Sequence, residues 1–436
     1  MSKYEIMPEL LPVQAIRGAL PDGQEIIILR ETEGAGSHEV IIAGEVFALL
    51  NYFDGKTPVN ELKTMLLNEG MDVSELKVLD DLTEALDNGL IIKGEAYRIV
   101  ESNFRREVDR FARHAGTAYP DNTGMCHRFI QNWYKESKME VPRAMVAPPD
   151  GARLIGLVSP HYDLNGSGPT VATAFRALEA DFKKNGEADT IVILGASHSP
   201  VENGIAITRK NYLLPIGEAP ADVELIDAIA KALPVDPYAG EIAFRGEFVC
   251  EFQTLFVAWY RLKHPESKIK IVPLLISPLD ADSEEDDAPP PNLDMKTHPS
   301  RAIIDSIASA VKSLGRRVVY IASADLAHVG KRFDTTQALT DDLSFDVEKS
   351  DLRALELLRV GNSQGLVHEV FDNGNPYGVC STAVLYYLSE LCAPGFHSSV
   401  ILHYTQMQET ETESMVAFAA QSVYESIKEE TADDEG

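Results

Sequence analysis

From about Arg110 onward, short apolar runs alternate with longer stretches of helical periodicity, and this alternation limits the possible folds more than any other feature. The runs RLIGLVS (153–159), TIVILG (190–195), IKIVPLLIS (269–277) and RRVVYIAS (316–323) read as strands, and the intervening stretches 170–185, 222–232, 250–263 and 301–314 read as helices. Strands that are apolar at nearly every position are buried on both faces. The pattern therefore predicts an α/β fold with a largely parallel sheet flanked by helices.

A chain of 436 residues exceeds what one core usually covers, and the first hundred residues have a different character. Val46, Leu49, Leu50 and Phe53 recur at helical spacing, a second periodic stretch opens at Val59, and Leu79, Leu82 and Leu86 precede Gly89. The following LIIKGEAYRIV suits a hairpin. Residues 1–100 are thus expected to form a small helix-rich, winged-helix-like accessory domain, joined by a connection at 101–109 to an α/β domain at 110–425. The segment DADSEEDDAPPPNLD (280–294) is acidic and proline-rich and reads as a surface loop, and residues 426–436 as a disordered acidic tail.

The formal net charge of −29 argues against nucleic acid, because binding phosphates requires clustered Lys and Arg. Residues 1–100 hold 18 Asp and Glu against 8 Lys and Arg, so the winged-helix pattern there does not imply a DNA reader. No apolar run approaches the roughly 20 residues that span a bilayer, and the opening MSKYEIMPELLPVQ lacks a secretory pattern. No membrane association is expected, and the expected location is the cytoplasm. The four cysteines, at 126, 250, 380 and 392, are too sparse for a disulfide framework.

Four segments bring metal-capable or proton-transferring side chains to strand ends or helix starts: SPHYDLNGSGPT, LGASHSP, SADLAHVGKRF and YGVCST. In open α/β sheets ligands bind beyond the carboxyl ends of the strands, where loops and helix N-termini converge. His161, His198, Asp325 and His328 are placed at that edge by this reading. Asp325 and His328 lie three apart and would share a face on a helical turn, with His328 as general acid or base and Asp325 fixing its tautomer. Asp325 also reads as a helix N-cap. Cys380 falls at or just before the start of an apolar helix, an environment that suits either a thiolate ligand or a nucleophile.

The same segments carry a resemblance. HAGTAYP (114–120), SPHYDLNGSGPTVATAFRAL (159–178), ILGASHSP (193–200), ASADLAHVGKRF (322–333) and VCSTAVLYYL (379–388) resemble, in order, the motifs of the Memo family, called protein B of the AmmeMemoRadiSam system, which shares its fold with class III extradiol dioxygenases. The resemblance implies a metal held by His161, His198 and Cys380, with Asp325 and His328 lining the same pocket. Tyr162, Asp163, Ser197, Glu247, Glu251 and Gln253 are the further pocket residues it suggests. Two imidazoles and a thiolate favour the softer ions iron, copper or zinc over magnesium or calcium, and the resemblance makes iron the first choice with copper or zinc as alternatives.

Three functions are expected, the first two from the resemblance and the third from Cys380 near His328 or His198. One is a dioxygenase-like oxidoreductase acting on a small-molecule or peptide substrate. Another is a redox-metal-binding regulatory protein acting with AMMECR1-like and radical-SAM partners. The third is a Cys-dependent hydrolase. The chain departs from the family pattern at Phe248, where a His is common, at Tyr162-Asp163, and at Ser381-Thr382. A weaker resemblance links YFDGKTPVNEL…LTEALDNGLI to PqqD-like peptide-binding domains.

Overall fold

A computed structural model describes residues 3–31, 39–198, 201–279, 293–333, 335 and 338–427. The acidic loop expected at 280–294, apart from its last two residues, and the expected tail from 428 onward lie outside the described residues. The chain divides into two compact units, one of residues 1–107 with 241–247, the other of residues 108–240 and 248–436.

The first unit begins with a three-stranded antiparallel sheet, β1 (Val13–Ala19), β2 (Glu25–Glu31) and β3 (Glu39–Ala43), in that spatial order. A 3₁₀ segment at Gly44–Tyr52 and helices α1 (Val59–Asn68), α2 (Lys77–Asn88) and α3 (Glu95–Arg106) follow. Ile27 and Leu29 of the sheet share one core with Leu62, Leu79, Leu82 and Leu86 of the helices. Two expectations are corrected here. The helix-rich expectation did not include the initial sheet, of which EIIILR forms the central strand. LIIKGEAYRIV is not a hairpin: Gly94 precedes α3, whose apolar Tyr97 and Phe104 are buried at helical spacing, and this periodicity outweighs the β-branched residues before it. The same helix runs into the stretch expected as a connection.

The second unit begins with β4 (Asp109–Phe111), α4 (Thr123–Glu140) and α5 (Arg143–Val146), and continues through β5 (Ala152–Ser159), α6 (Leu164–Asn185) and β6 (Thr190–Ala196). Three short strands follow, β7 (Ile205–Ile207), β8 (Asn211–Leu214) and β9 (Gly217–Ala219), then α7 (Val223–Ala232), α8 (Val249–Lys263) and β10 (Lys270–Ile276). The remainder is α9 (Ser300–Leu314), β11 (Val318–Ser323), β12 (Asp325–Gly330), α10 (Asp341–Arg359), α11 (Ser363–Phe371), α12 (Thr382–Cys392), β13 (Phe396–Glu409) and β14 (Ser414–Ser426).

An eight-stranded sheet organises this unit, in the order β12-β14-β5-β11-β6-β10-β7 with β13 paired to β14. The four strands and four helices expected from the alternation are β5, β6, β10 and β11 and α6 to α9. Those strands form the parallel centre of the sheet, β5-β11-β6-β10. Antiparallel strands border it on both sides, so the sheet as a whole is mixed. Every residue of β6 and β11 is buried, as a strand covered on both faces requires. α8 packs against Gly195 on one face, and α12 packs against Gly156 on the other, each where the missing Cβ lets the helix approach. Parallel β5, β6 and β11 end at one edge, and the chain leaves that edge through Pro160-His161, Ser197-His198 and Ala324-Asp325.

Candidate functional site

A cavity of about 970 Å³ lies within the second unit. His161, His198, Asp325, His328 and Cys380 all line it, together with Tyr162 and Asp163.

His161 follows β5 and is buried, with its ring held from behind. Its Nδ1 is 2.9 Å from the Ser323 carbonyl. A carbonyl only accepts, so Nδ1 carries the proton and the neutral ring has its lone pair on Nε2. That Nε2 lies 3.3 Å from Asp325 Oδ2. Asp325 is oriented in turn by its other oxygen, which accepts from the backbone N–H groups of His161 (3.0 Å) and Tyr162 (3.1 Å). This carboxylate therefore stitches the end of β5 to the start of β12 and is not a helix N-cap.

β12 corrects a further expectation. Asp325 and His328 lie on a strand and not on a helical turn, and residues three apart on a regular strand point to opposite faces. A register shift between them in the pairing with β14 inserts the extra step that brings both side chains to the cavity. His328 Nδ1 is 2.9 Å from the Leu326 carbonyl, so this ring too is tied at Nδ1 with Nε2 left as the basic atom. Burial pulls the His328 pKa below the usual imidazole value, against the opposing charge of Asp325.

His198 sits on the short exit from β6, exposed, its ring 5.3 Å from that of His161 and 4.8 Å from that of Phe248. Cys380 is exposed and immediately precedes Ser381, which stands at the N-terminal boundary of α12. Ser381 Oγ lies 3.3 Å from Cys380 Sγ and accepts from the Asp325 N–H, so the cysteine-bearing loop is fastened to β12. The loop before it is held by Asn375, whose side chain bonds both the N–H (2.8 Å) and the carbonyl (3.2 Å) of Val379. Among the described residues no disulfide is formed, and the other three cysteines are buried.

The remaining expected residues fall elsewhere. Gln253 stands behind the lining, donating to the Pro160 carbonyl and to Ser323 Oγ, so it braces the loop that carries His161. Glu251 is fully buried and paired with Arg110 at 2.5 Å, and it accepts from Tyr119 Oη and from the N–H groups of Arg113 and His114. Ser197 is buried with its N–H on the Ile276 carbonyl. Glu247 belongs to the other compact unit.

Three lining features were not singled out from sequence. His114 lies within HAGTAYP and contacts the rings of Phe248 and Phe252. Arg332 and Phe333 close the GKRF segment. Both stretches had been marked as motifs, so the signal was present, but nothing in their spacing says which side chain turns inward. Phe248, at a position where a histidine was noted as common in the family, packs on His114, His161 and His198 and makes this wall apolar.

The donor chemistry fits a soft or borderline cation. A nitrogen lone pair and a carboxylate oxygen 3.3 Å apart repel unless a proton or cation lies between them. A ligating histidine commonly donates its second ring N–H to a carbonyl, as His161 does here. Among the described residues no three His, Cys, Asp or Glu side chains are gathered at ligating distance, so closing on an ion requires side-chain rotation. His198 and Cys380 are both exposed on short loops.

The fold and cavity define a mixed-sheet α/β protein with an imidazole-, thiol- and carboxylate-bearing pocket at the carboxyl edge of its parallel strands. A family model described as Memo-like protein matches residues 110–422, and the chain belongs to that family. It is 22% identical over 414 residues to a MEMO1 family protein of Aquifex aeolicus, covering 93% of this chain and 97% of the relative, so this likeness reaches into the first hundred residues. It is 28% identical over 323 residues to a MEMO1 family protein of Thermococcus kodakarensis (71% of this chain, 98% of the relative). Among the described residues no helix is long and apolar enough to cross a membrane.

Proposed function

We propose that this Memo-like chain binds a redox-active metal ion through His161, His198 and Cys380 and acts as an oxidoreductase on a small-molecule or peptide substrate. Iron is the first choice of ion and copper the alternative. The observation that carries the reading is the pairing of His161 with Asp325, an imidazole nitrogen 3.3 Å from a carboxylate oxygen, in a cavity that His198 and Cys380 also line.

A bound iron or copper ion supplies a Lewis-acidic, one-electron redox centre with coordination positions left over beyond three protein donors. Around it the chain's own residues have separable tasks. Asp325, held by two backbone N–H groups, keeps His161 in place and balances positive charge. His328, buried and tied at Nδ1, presents Nε2 as a proton acceptor for a substrate hydroxyl or amide. Phe248 and Phe252 keep one wall dry.

The test is anaerobic purification with metal analysis of the wild type, His161→Ala and Cys380→Ser, followed by oxygen-consumption screening. About one iron or copper per chain in the wild type, lost in both folded variants, is the expected result. Full metal content in Cys380→Ser with loss of alkylation at that position would instead assign Cys380 as a nucleophile and overturn the reading.

A further inference from the structure

The step in β12 that turns both Asp325 and His328 toward the cavity is held from outside the cavity. β12 stands at one end of the sheet's strand order, paired with β14, and its register shift interrupts that pairing between Asp325 and His328. The ladder therefore does not fix the two intervening residues, Leu326 and Ala327. Flanking them, the Asp325 N–H donates to Ser381 Oγ at 3.0 Å and the His328 N–H to the Tyr377 carbonyl at 2.7 Å. The Ala327 N–H donates to Asp351, a buried carboxylate of α10.

The Leu326 carbonyl and the Ala327 N–H are two ends of one peptide unit, which is planar and trans, so they point in opposite directions. His328 Nδ1 is bonded to the carbonyl end at 2.9 Å, and Asp351 holds the N–H end. Turning this plane would withdraw the acceptor that keeps the proton on Nδ1 and would let the ring place it on Nε2. Asp351 is oriented in its turn. Gln406 Nε2 donates to the Ser344 carbonyl at 2.8 Å and to Tyr404 Oη at 3.0 Å, so the single Tyr404 proton is left for Asp351 Oδ2, also at 3.0 Å. The chain from Gln406 through Tyr404 thus runs one way and ends on Asp351 as acceptor. A carboxylate buried without an ion pair, as here among the described residues, is costly, and an apolar side chain would fill the same space without that cost.

We infer that Asp351 is a positioning residue for the cavity: from α10 it fixes the Leu326–Ala327 peptide plane, which holds His328 with Nδ1 protonated and Nε2 as the proton-accepting atom. The inference rests on the reading of His328 as a proton acceptor, but it requires neither a metal nor turnover.

The test is NMR on the metal-free full-length protein at about pH 8, where the imidazole is neutral and Asp351, pushed up to about 7 by burial, is ionised. Nitrogen-15 labelling of histidine reports the His328 tautomer, with His328→Gln for assignment. Leu326–Ala327 is the chain's one Leu–Ala pair, so carbon-labelled leucine with nitrogen-labelled alanine isolates the Ala327 amide. The wild type should show the Nδ1–H tautomer. Asp351→Leu combined with Tyr404→Phe replaces the carboxylate and its donor by apolar groups. It should keep the fold and shift the tautomer ratio about tenfold toward Nε2–H, the size of one hydrogen bond. Tyr404→Phe alone should leave the ratio within about twofold, because the Ala327 contact survives. Asp351→Asn still offers an oxygen to Ala327, so it should retain the tautomer while the Ala327 amide proton moves upfield, a neutral acceptor having replaced an ionised one. That variant covers the case in which the double variant does not fold.

A tautomer ratio unchanged in the folded double variant overturns the inference. So does an Ala327 amide unmoved in Asp351→Asn, or a shift in Tyr404→Phe as large as in the double variant, which would mark a general loosening of β13. The expected tautomer shift in a protein that retains no metal and consumes no oxygen would leave this inference standing and remove only the proposed activity.

Discussion

Replacing Glu251 with Gln should destabilise the second unit far more than one neutralised carboxylate ordinarily does. The side chain is wholly buried and accepts from Arg110 Nη1 at 2.5 Å, Tyr119 Oη at 2.6 Å, His114 N at 2.9 Å and Arg113 N at 3.0 Å. Glutamine keeps the shape but removes the charge that Glu251 sets against the Arg110 guanidinium, also buried, and breaking one side of a buried pair costs about 3–5 kcal/mol. Its amide also turns donors toward donors, so at least one backbone N–H loses its acceptor, which costs about 1–3 kcal/mol more. A total of about 5 kcal/mol corresponds to a fall in Tm of about 7 °C, because unfolding entropy is about 2.1 cal/mol/K per residue and the unit spans roughly 320 residues. Urea unfolding followed by fluorescence reports on this unit alone, because the two tryptophans, Trp133 and Trp259, lie on α4 and α8.

The pH dependence has a definite sign. Burial pushes the Glu251 carboxyl up, but Arg110, His114 and Tyr119 together hold it below the usual carboxylate range. A depressed folded pKa contributes stability that is present above the unfolded value near 4.5 and lost as pH falls through the lower folded value. The wild type should therefore lose this contribution in acid, and Glu251→Gln should lack that part of the acid sensitivity. A measured loss below about 1 kcal/mol at pH 7 would refute the reasoning.

Further outcomes follow from the same geometry. Gly378 adopts φ +59°, and a Cβ there would meet the His328 carbonyl at 2.9 Å, so Gly378→Ala should cost about 1–3 kcal/mol and disturb both His328 and Cys380, read by thermal melting and by metal retention. Gly168 lies against the Trp133 indole, where a Cβ would stand 2.4 Å from the ring; Gly168→Ala should separate α4 from α6 and shift the Trp133 emission, with a loss of about 1–3 kcal/mol. Asp351 is pushed up to about 7 by burial, with Tyr404 Oη and the Ala327 N–H opposing. A raised carboxyl pKa means stability fully present below about pH 4 and lost as pH rises to about 7, by about 4 kcal/mol, so Asp351→Asn should flatten the stability profile between those values. An unchanged profile would refute it.

Much of the second unit was legible along the chain, because period and polarity are local properties. Strands buried on both faces must be apolar throughout, and helices packed on them must carry an apolar stripe, so β5, β6, β10 and β11 and the helices α6 to α9 declare themselves. The positions of His161 and His198 at strand exits follow from the same logic, since parallel strands deliver their carboxyl ends to one edge.

Pairing across long sequence separations was not legible. The β13–β14 hairpin joins the sheet beside β5, about 260 residues earlier in the chain, and its sequence says nothing of that neighbour. β12 looked like a helical turn because Asp325 and His328 are three apart, and only its pairing with β14, register shift included, aims both side chains at the cavity. Glu251 and Gln253 lie two apart near the start of one helix, and the family resemblance implied both for the cavity. The tertiary structure turned Glu251 to Arg110 and Gln253 to the His161 loop, because a buried carboxylate and a buried amide go where compensating charge and carbonyls are, and those partners come from segments 70 to 141 residues away.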